Sequence, residues 1–270
     1  MHFFIPFKRL MYQVWGYFWY LLTARHRGGY GLHSPFMFGF QRRVLAPGYR
    51  KELRQVRKRI RALRRDQREL DCGEDPGAGS NRLKSRQRKL KHIVAGSSVP
   101  DKYGKILYAA ALEFKPETIL ELGASVGIST MYMCEGAPQA SVYTMEACSR
   151  KLEVCRENAR YLGHENLYPI QGTFEEKLPG LLEKLTSLDM VFIDGDHRKE
   201  KIMDYFEQIM AHIHDDSLVI LDDIHWSPAM TQAWQALSHH PRVKVSVDLF
   251  RMGILFFKRE LSAERFKIAY

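Results

Sequence analysis

From about residue 100 onward, short apolar runs alternate with longer stretches in which apolar residues recur every three or four positions. The first pattern predicts buried strands and the second amphipathic helices. Thr118–Leu122, Ser141–Met145, Leu167–Gln171, Met190–Asp194 and Leu218–Asp222 read as five strands. Tyr103–Leu112, Ile128–Glu135, Ser149–Leu162 and Glu200–Ile213 read as helices between or beside them. Ser227-Pro228 offers a cap followed by proline in the first helical turn, which predicts a further helix to about Leu237. Val243–Phe250 and Gly253–Lys258 are two strands joined so tightly that they must run antiparallel. The sum is a seven-stranded, mostly parallel α/β sheet with an antiparallel C-terminal hairpin.

The first hundred residues follow a different pattern. Leu10, Met11, Val14, Trp15, Phe18, Leu21 and Leu22 have helical spacing, and Gly28, Gly29 and Gly31 then break the helix. Leu32-His33-Ser34-Pro35-Phe36 reads as a turn or helix start. Further on, Leu53, Val56, Ile60, Leu63, Gln67 and Leu70 form a narrow stripe on an otherwise charged segment. Leu83, Gln87, Leu90 and Val94 repeat it beyond a turn region, Asp71–Ser80. This predicts an antiparallel helical hairpin with basic outer faces. Three parts result: an aromatic-rich helical extension (1–48), a basic helical hairpin (49–98) and an α/β domain (99–270).

Charge and composition sharpen this division. Residues 1–40 hold 13 of the 32 aromatic residues. Residues 42–92 hold 18 Lys/Arg against 6 Asp/Glu, so the net +10 of the chain resides in one segment. Such a block fits nucleic acid, an anionic membrane or only a solvated face. The four cysteines (Cys72, Cys134, Cys148, Cys155) form no CxxC pair and read as reduced thiols of a cytoplasmic protein. No run approaches the length of a membrane span, and no secretory signal opens the chain.

The densest chemical signal is Ile119-Leu120-Glu121-Leu122-Gly123-Ala124-Ser125-Val126-Gly127-Ile128-Ser129-Thr130. It reads as a strand, a tight glycine turn and a helix N-terminus, where backbone N–H groups can hold a nucleotide-like ligand. Glu146, at the end of the second strand, can accept both hydroxyls of a ribose. A dehydrogenase would carry glycine where Ser125 stands. Asp194, Asp222 and Asp223 fall at the ends of adjacent strands, the edge where ligands collect in open α/β sheets. Three carboxylates there would repel unless a hard cation such as Mg²⁺ joined them. Alternatively, Asp194 bonds an acceptor directly while Asp222 or Asp223 caps the following helix. His197, three residues past Asp194, is placed to act as a general base.

Glu121-x-Gly123-x-x-x-Gly127 resembles the first motif of class I S-adenosylmethionine-dependent methyltransferases, a Rossmann-like family. Phe192-Ile193-Asp194-Gly195-Asp196-His197 and Leu221-Asp222-Asp223-Ile224-His225-Trp226 more specifically resemble the catechol-type and related metal-dependent O-methyltransferases. The resemblance covers about residues 100–258. It implies S-adenosyl-L-methionine as cofactor, held by Glu121, Gly123, Ala124, Ser125, Gly127, Ser129, Glu146, Phe174 and Asp194. It also implies Asp194, Asp222 and Asp223 as metal ligands, and Asp194 and His197 as catalytic residues. The family has asparagine where this chain has Asp223, and a lysine base where it has His197. Asp223 adds negative charge and bears on the metal's identity and affinity, while His197 favours a different acceptor, such as a sugar or another hydroxyl. His225 is a lesser acceptor contact, and Trp226 and Met230 are wall or packing residues.

The leading expectation is O-methylation of a small or medium hydroxylated acceptor with divalent-metal assistance. Two alternatives stand beside it: an RNA methyltransferase using residues 42–92 as its arm, and a non-catalytic binding module. No Asn/Asp-Pro-Pro-aromatic motif follows the fourth strand, which argues against base methylation. The aromatic N-terminus has three open uses: an acceptor lid, a homodimer contact or a peripheral membrane contact.

Overall fold

The computed structural model describes residues 7–46, 48, 50–73 and 87–270. Helix α1 (Phe7–Thr23) runs to the glycine-rich turn. Ser34 Oγ accepts from the Met37 N–H and caps α2 (Pro35–Phe40), which continues as a π-helical turn over Gln41–Leu45. Helix α3 (Arg54–Leu63) buries Val56, Ile60 and Leu63 as the stripe requires.

The helical hairpin does not form. Helix α3 stops at Leu63, strand β1 (Glu69–Asp71) follows, and it pairs antiparallel with β2 (Gln87–Lys89) ahead of α4 (Leu90–Ser97). Leu70 is buried as the stripe demands, but from a strand, while Gln67 is exposed. The cause is local. Asp66 Oδ1 accepts from the Arg68 N–H (2.8 Å), and that turn takes the backbone out of the helix. Nor are the basic faces wholly solvated. Arg57 bonds Asp101, Arg59 bonds Asn158, and Arg68 makes two bonds to Glu157. Leu83 and most of the Asp71–Ser80 turn lie outside the described residues.

The C-terminal part alternates as expected. Its elements are α5 (Asp101–Phe114), β3 (Thr118–Leu122), α6 (Ile128–Gly136), β4 (Ser141–Glu146), α7 (Ser149–Leu162) and β5 (Leu167–Gln171). Then come α8 (Phe174–Leu182), β6 (Leu188–Ile193), α9 (Lys199–Met210), β7 (Ile213–Leu221), α10 (Pro228–Ser238), β8 (Val245–Asp248), β9 (Gly253–Phe256) and β10 (Glu264–Lys267). The sheet has eight strands in the order β10-β8-β9-β7-β6-β3-β4-β5. Strand β9 runs antiparallel to both β7 and β8, and the other pairings are parallel.

Three details differ from the sequence reading. Ile213 opens β7 rather than closing the preceding helix. Helix α8 was not anticipated, although Thr173 and Glu176 form a full capping box at its start. Strand β10 adds an eighth member at the sheet edge, beside β8, and Arg25 bridges to Ile268 next to it.

One apolar cluster runs from Leu32 through Leu53, Leu90 and Tyr132 to Ile254, so the N-terminal segments and one face of the sheet share a core. A second cluster under α8, α9 and α10 covers the other face. The chain order reverses about β3: β4 and β5 lie to one side, β6 and β7 to the other. Such a switch point opens a crevice at the carboxyl ends of β3 and β6.

Asp101, at the start of α5, ties three elements. Its carboxylate accepts from Arg57 of α3 (3.1 Å) and Tyr132 of α6 (2.7 Å), and pairs with Lys105 (3.2 Å). Burial pushes its pKa up, but these bonds outweigh burial and hold it below the ordinary aspartate value. A depressed carboxylate stabilises the fold above the unfolded pKa of about 4 and loses that contribution as pH falls through the folded value. Because the side chain is 44% exposed, Asp101→Asn at pH 7 should cost only about 1 kcal/mol. In parallel urea melts, the gap between the two proteins should close below about pH 3.

Candidate active site

The crevice is built on a backbone contact. Strand β3 ends at Leu122, whose carbonyl accepts from the Asp194 N–H (2.8 Å) at the end of β6. Gly123 then takes φ +103°, and a Cβ there would lie 2.0 Å from the Asp194 carbonyl oxygen. Only glycine combines that backbone angle with that approach. The Gly123 and Ala124 N–H groups donate to Met145 O (3.1 and 3.0 Å), which holds the turn against β4. Gly127, at φ +80°, caps α6 and leaves no room for a side chain against Cys155 Sγ. Ser125 also has positive φ (+47°), a conformation that costs energy for a residue with a side chain.

A small open cleft lies on this turn. Gly123, Ala124, Ser125, Ser129 and Asp194 line it, as do Ser98, Val99, Val126 and Ile128. Ser98 and Val99 escaped the sequence reading because they lie on the approach to α5, distant in sequence from the glycine turn.

Glu146 and Gly127 do not line the cleft itself; Glu146 braces one side of the turn. Its carboxylate accepts from the Ser125 N–H (2.9 Å) and the Cys148 N–H (2.9 Å), with Lys151 Nζ 3.7 Å away. Each oxygen keeps a further lone pair for a ligand hydroxyl. Glu121 is not part of the cleft. It is fully buried and accepts from Ser129, Thr130 and Thr144 at 2.5 Å each. It therefore joins β3, β4 and α6 from within. Burial raises its pKa, against these three bonds. Phe174 is also absent from the cleft lining. Its ring packs against Gly195 and edge-on to Tyr205.

Arg251 reaches both carboxylates that follow β7, bonding Asp222 closely and lying 3.6 Å from Asp223 Oδ1. Asp222 is fully buried, and Arg251 holds it with Nε at 3.0 and 3.2 Å and Nη2 at 2.8 Å. The trio of aspartates expected from the sequence is thus broken: a guanidinium from the β8–β9 turn already neutralises Asp222. Ligand atoms of Asp194, His197 and Asp223 instead converge within 4.8 Å of one another. His197 Nε2 lies 3.7 Å from Asp223 Oδ2. Burial raises the Asp194 pKa well above the usual carboxylate range, and the Asp222 and Asp223 charges add to it, against Arg251. Three carboxyl groups thus share one guanidinium, with the His197 imidazole beside Asp223.

The loops that carry these groups are themselves pinned. Asp196, at φ +53°, pairs with Arg198 and accepts from Tyr205 Oη (3.1 Å), fixing the turn that presents His197. His225 is bonded at both ring nitrogens, to Thr231 Oγ1 (3.0 Å) and Asp248 Oδ2 (2.9 Å), which makes it a brace between α10 and β8. Met230 is buried packing. Trp226 stands over the His197 ring (5.7 Å between centroids) and beneath the Arg9 guanidinium of α1 (4.2 Å).

Comparison with known proteins bears on the fold that carries this site. Residues 120–224 match a family model described as a methyltransferase domain. The chain superimposes on an O-methyltransferase from Bacillus cereus in complex with SAH, at a TM-score of 0.55 and 17% identity, over 81% of this chain and 96% of that one. It matches an SAH-bound methyltransferase from Podospora anserina at 0.55 and 14% identity, over 96% and 100%. The chain has the class I methyltransferase fold. Among curated relatives, a catechol O-methyltransferase of Mycobacterium tuberculosis is 28% identical over 154 residues, 56% of this chain and 66% of the relative. Catechol O-methyltransferase of Mus musculus is 31% identical over 110 residues, 39% and 41%. The chain spans at most about two thirds of the length of these relatives. The matched segment of the methyltransferase fold runs from β3 to the loop after β7, so it contains the glycine turn, Glu146 and all three aspartates.

The Gly123 contact sets a sharp test. Gly123→Ala would have to part β3 from β6 and should destabilise the fold by about 3 kcal/mol. Gly163→Ala, also at positive φ (+76°) but with open space around it, should cost about 1 kcal/mol. Thermal melts of the two variants would separate crowding from backbone strain.

Proposed function

We propose that this chain is an S-adenosyl-L-methionine-dependent O-methyltransferase for a small or medium hydroxylated acceptor, assisted by a divalent cation. One observation carries the reading. Asp194 belongs both to the cleft on the glycine turn and to the Asp194–His197–Asp223 cluster. A methyl donor in the cleft and an acceptor at the cluster would therefore meet at one residue. Holding two reactants in line is the main work of a transferase.

In this reading the turn from Gly123 to Ser129 takes the cofactor's amino-acid end and Glu146 its ribose. Phe174, packed on Gly195 beside Asp194, stays a candidate for the adenine edge. Asp194 faces the sulfonium side, where a raised carboxylate pKa returns toward normal once a positive charge arrives. Asp194, His197 and Asp223 fit a divalent cation: two hard oxygen donors and one imidazole. The imidazole suits Mn²⁺, Co²⁺ or Zn²⁺ better than the Mg²⁺ expected from three aspartates. Bound there, such an ion would lower the pKa of the acceptor hydroxyl. Arg251 keeps Asp222 neutralised and gives the cluster a rigid floor. Trp226 bounds the acceptor side and excludes water. A second reading follows from the 3.7 Å separation of His197 and Asp223: without an ion, His197 takes the acceptor proton and Asp223 steadies the imidazolium.

The curated relatives support this assignment through their own names, as catechol O-methyltransferases. Three experiments test it. Glu146→Ala should weaken binding of S-adenosylhomocysteine, read by calorimetry, by about 10- to 100-fold, the worth of one or two hydrogen bonds to a carboxylate. Dialysis against EDTA should lower methyl transfer to a panel of phenols, sugars and hydroxylated lipids at least about tenfold, with recovery on adding Mn²⁺. Asp223→Ala should reproduce that loss while binding S-adenosylhomocysteine normally. Full activity after EDTA, abolished in His197→Ala, would install the proton-transfer reading in place of the metal one.

A further inference from the structure

Helix α1 has two unlike faces. Arg9, Tyr12, Gln13, Gly16 and Tyr20 repeat every three or four residues and turn inward. Tyr12 Oη meets Thr231 Oγ1 (2.7 Å), and Gln13 Nε2 donates to Trp226 O (3.2 Å). Gly16 lies against the Phe250 ring, and Tyr20 packs on that ring and donates to Ile268 O. The outer face is bare. Val14, Trp15, Phe18, Trp19, Leu21 and Leu22 are 50–63% exposed, and no charged residue lies between Arg9 and Arg25. Tyr30, 86% exposed, extends the surface at the C-terminal turn. A monomer rarely leaves so much contiguous apolar surface in water.

We infer that the outer face of α1 seats the protein on an anionic membrane surface. The charge around it selects this occupant. The first 51 residues contain eight Lys/Arg and no Asp or Glu; the first acidic residue is Glu52. Arg25 is exposed at the end of the helix, and Lys267 reaches Thr23 (3.3 Å) on the same rim. An apolar stripe edged by cations and rich in tryptophan lies flat in the headgroup layer of a bilayer. A second copy of this chain would set the same rim of Arg25 and Lys267 against itself, and like charges oppose that. The 17-residue helix lies on the membrane rather than across it: among the described residues no helix is long and apolar enough to span. The inner face rests on Trp226 and Phe250, which border His197 and Arg251, so the seated protein holds the acceptor side of its site next to the lipid.

Vesicle co-sedimentation of the full chain tests this without reference to any activity. The protein should pellet with phosphatidylcholine–phosphatidylglycerol (3:1) vesicles and stay in solution with pure phosphatidylcholine. Its tryptophan emission should shift to the blue on binding. The double variant Trp15→Ser/Trp19→Ser should lose about tenfold or more in partitioning while keeping the thermal transition of the parent. Three results would overturn the inference. The first is no pelleting with anionic vesicles. The second is pelleting that the double variant leaves unchanged, which would assign binding to the basic 42–92 segment. The third is a dimer in sedimentation equilibrium that the double variant abolishes, which would assign the face to a second copy.

Discussion

The site rests on the absence of a side chain between β3 and β6. Gly123 brings the turn after β3 into contact with the Asp194 carbonyl, and the Leu122 carbonyl takes the Asp194 N–H. Those two contacts fix Asp194 at the edge of the glycine turn. Everything else is arranged around them. Glu121 clamps the strand from inside through three hydroxyls, and Glu146 ties the turn to β4 through two backbone N–H groups. Two acidic residues 25 positions apart thus hold the same loop from opposite sides, one buried and spent on structure, the other at the edge with acceptor capacity left.

Electrostatics then divides the acids by task. The interior tolerates a charged carboxylate only when it is paired and bonded. Asp222 meets that condition through Arg251, and Asp196 through Arg198 and Tyr205. Asp223 shares the Arg251 guanidinium at 3.6 Å and faces His197 at 3.7 Å, and Asp194 is buried beside both aspartates. Burial and the neighbouring charges raise the Asp194 pKa, against Arg251. Functional sites commonly hold shifted pKa values of this kind.

The fold was largely legible because β3, β4, β6 and β7 are buried on both faces, and their near-continuous apolar runs survive any packing arrangement. The places where reading failed share a cause: each depended on a residue far away. Helix α3 was overextended because Leu70 satisfies a helical stripe and a strand equally, and only the turn at Asp66 and the pairing with β2 distinguish them. Ile213 looked like the end of a helix until its place in β7 opposite Leu188 was known. Strand β10 has no sequence signature of its own and exists because β8 offered an open edge. Helix α8 is the exception. Thr173-x-x-Glu176 is a readable cap, masked by Pro179 inside the helix.

By itself the sequence determined the α/β alternation, the glycine turn, the position of Glu146 and the gathering of acids at one edge of the sheet. These follow from local periodicity and from which residues a turn can accept. Tertiary structure alone decided that Glu121 faces inward, that Asp222 belongs to Arg251, and that His197 joins Asp194 and Asp223. It also decided which face of α1 is covered. Partner choice is a matter of distance and burial. Residues 29 positions apart in the chain, such as Asp222 and Arg251, meet only after the hairpin has closed the sheet.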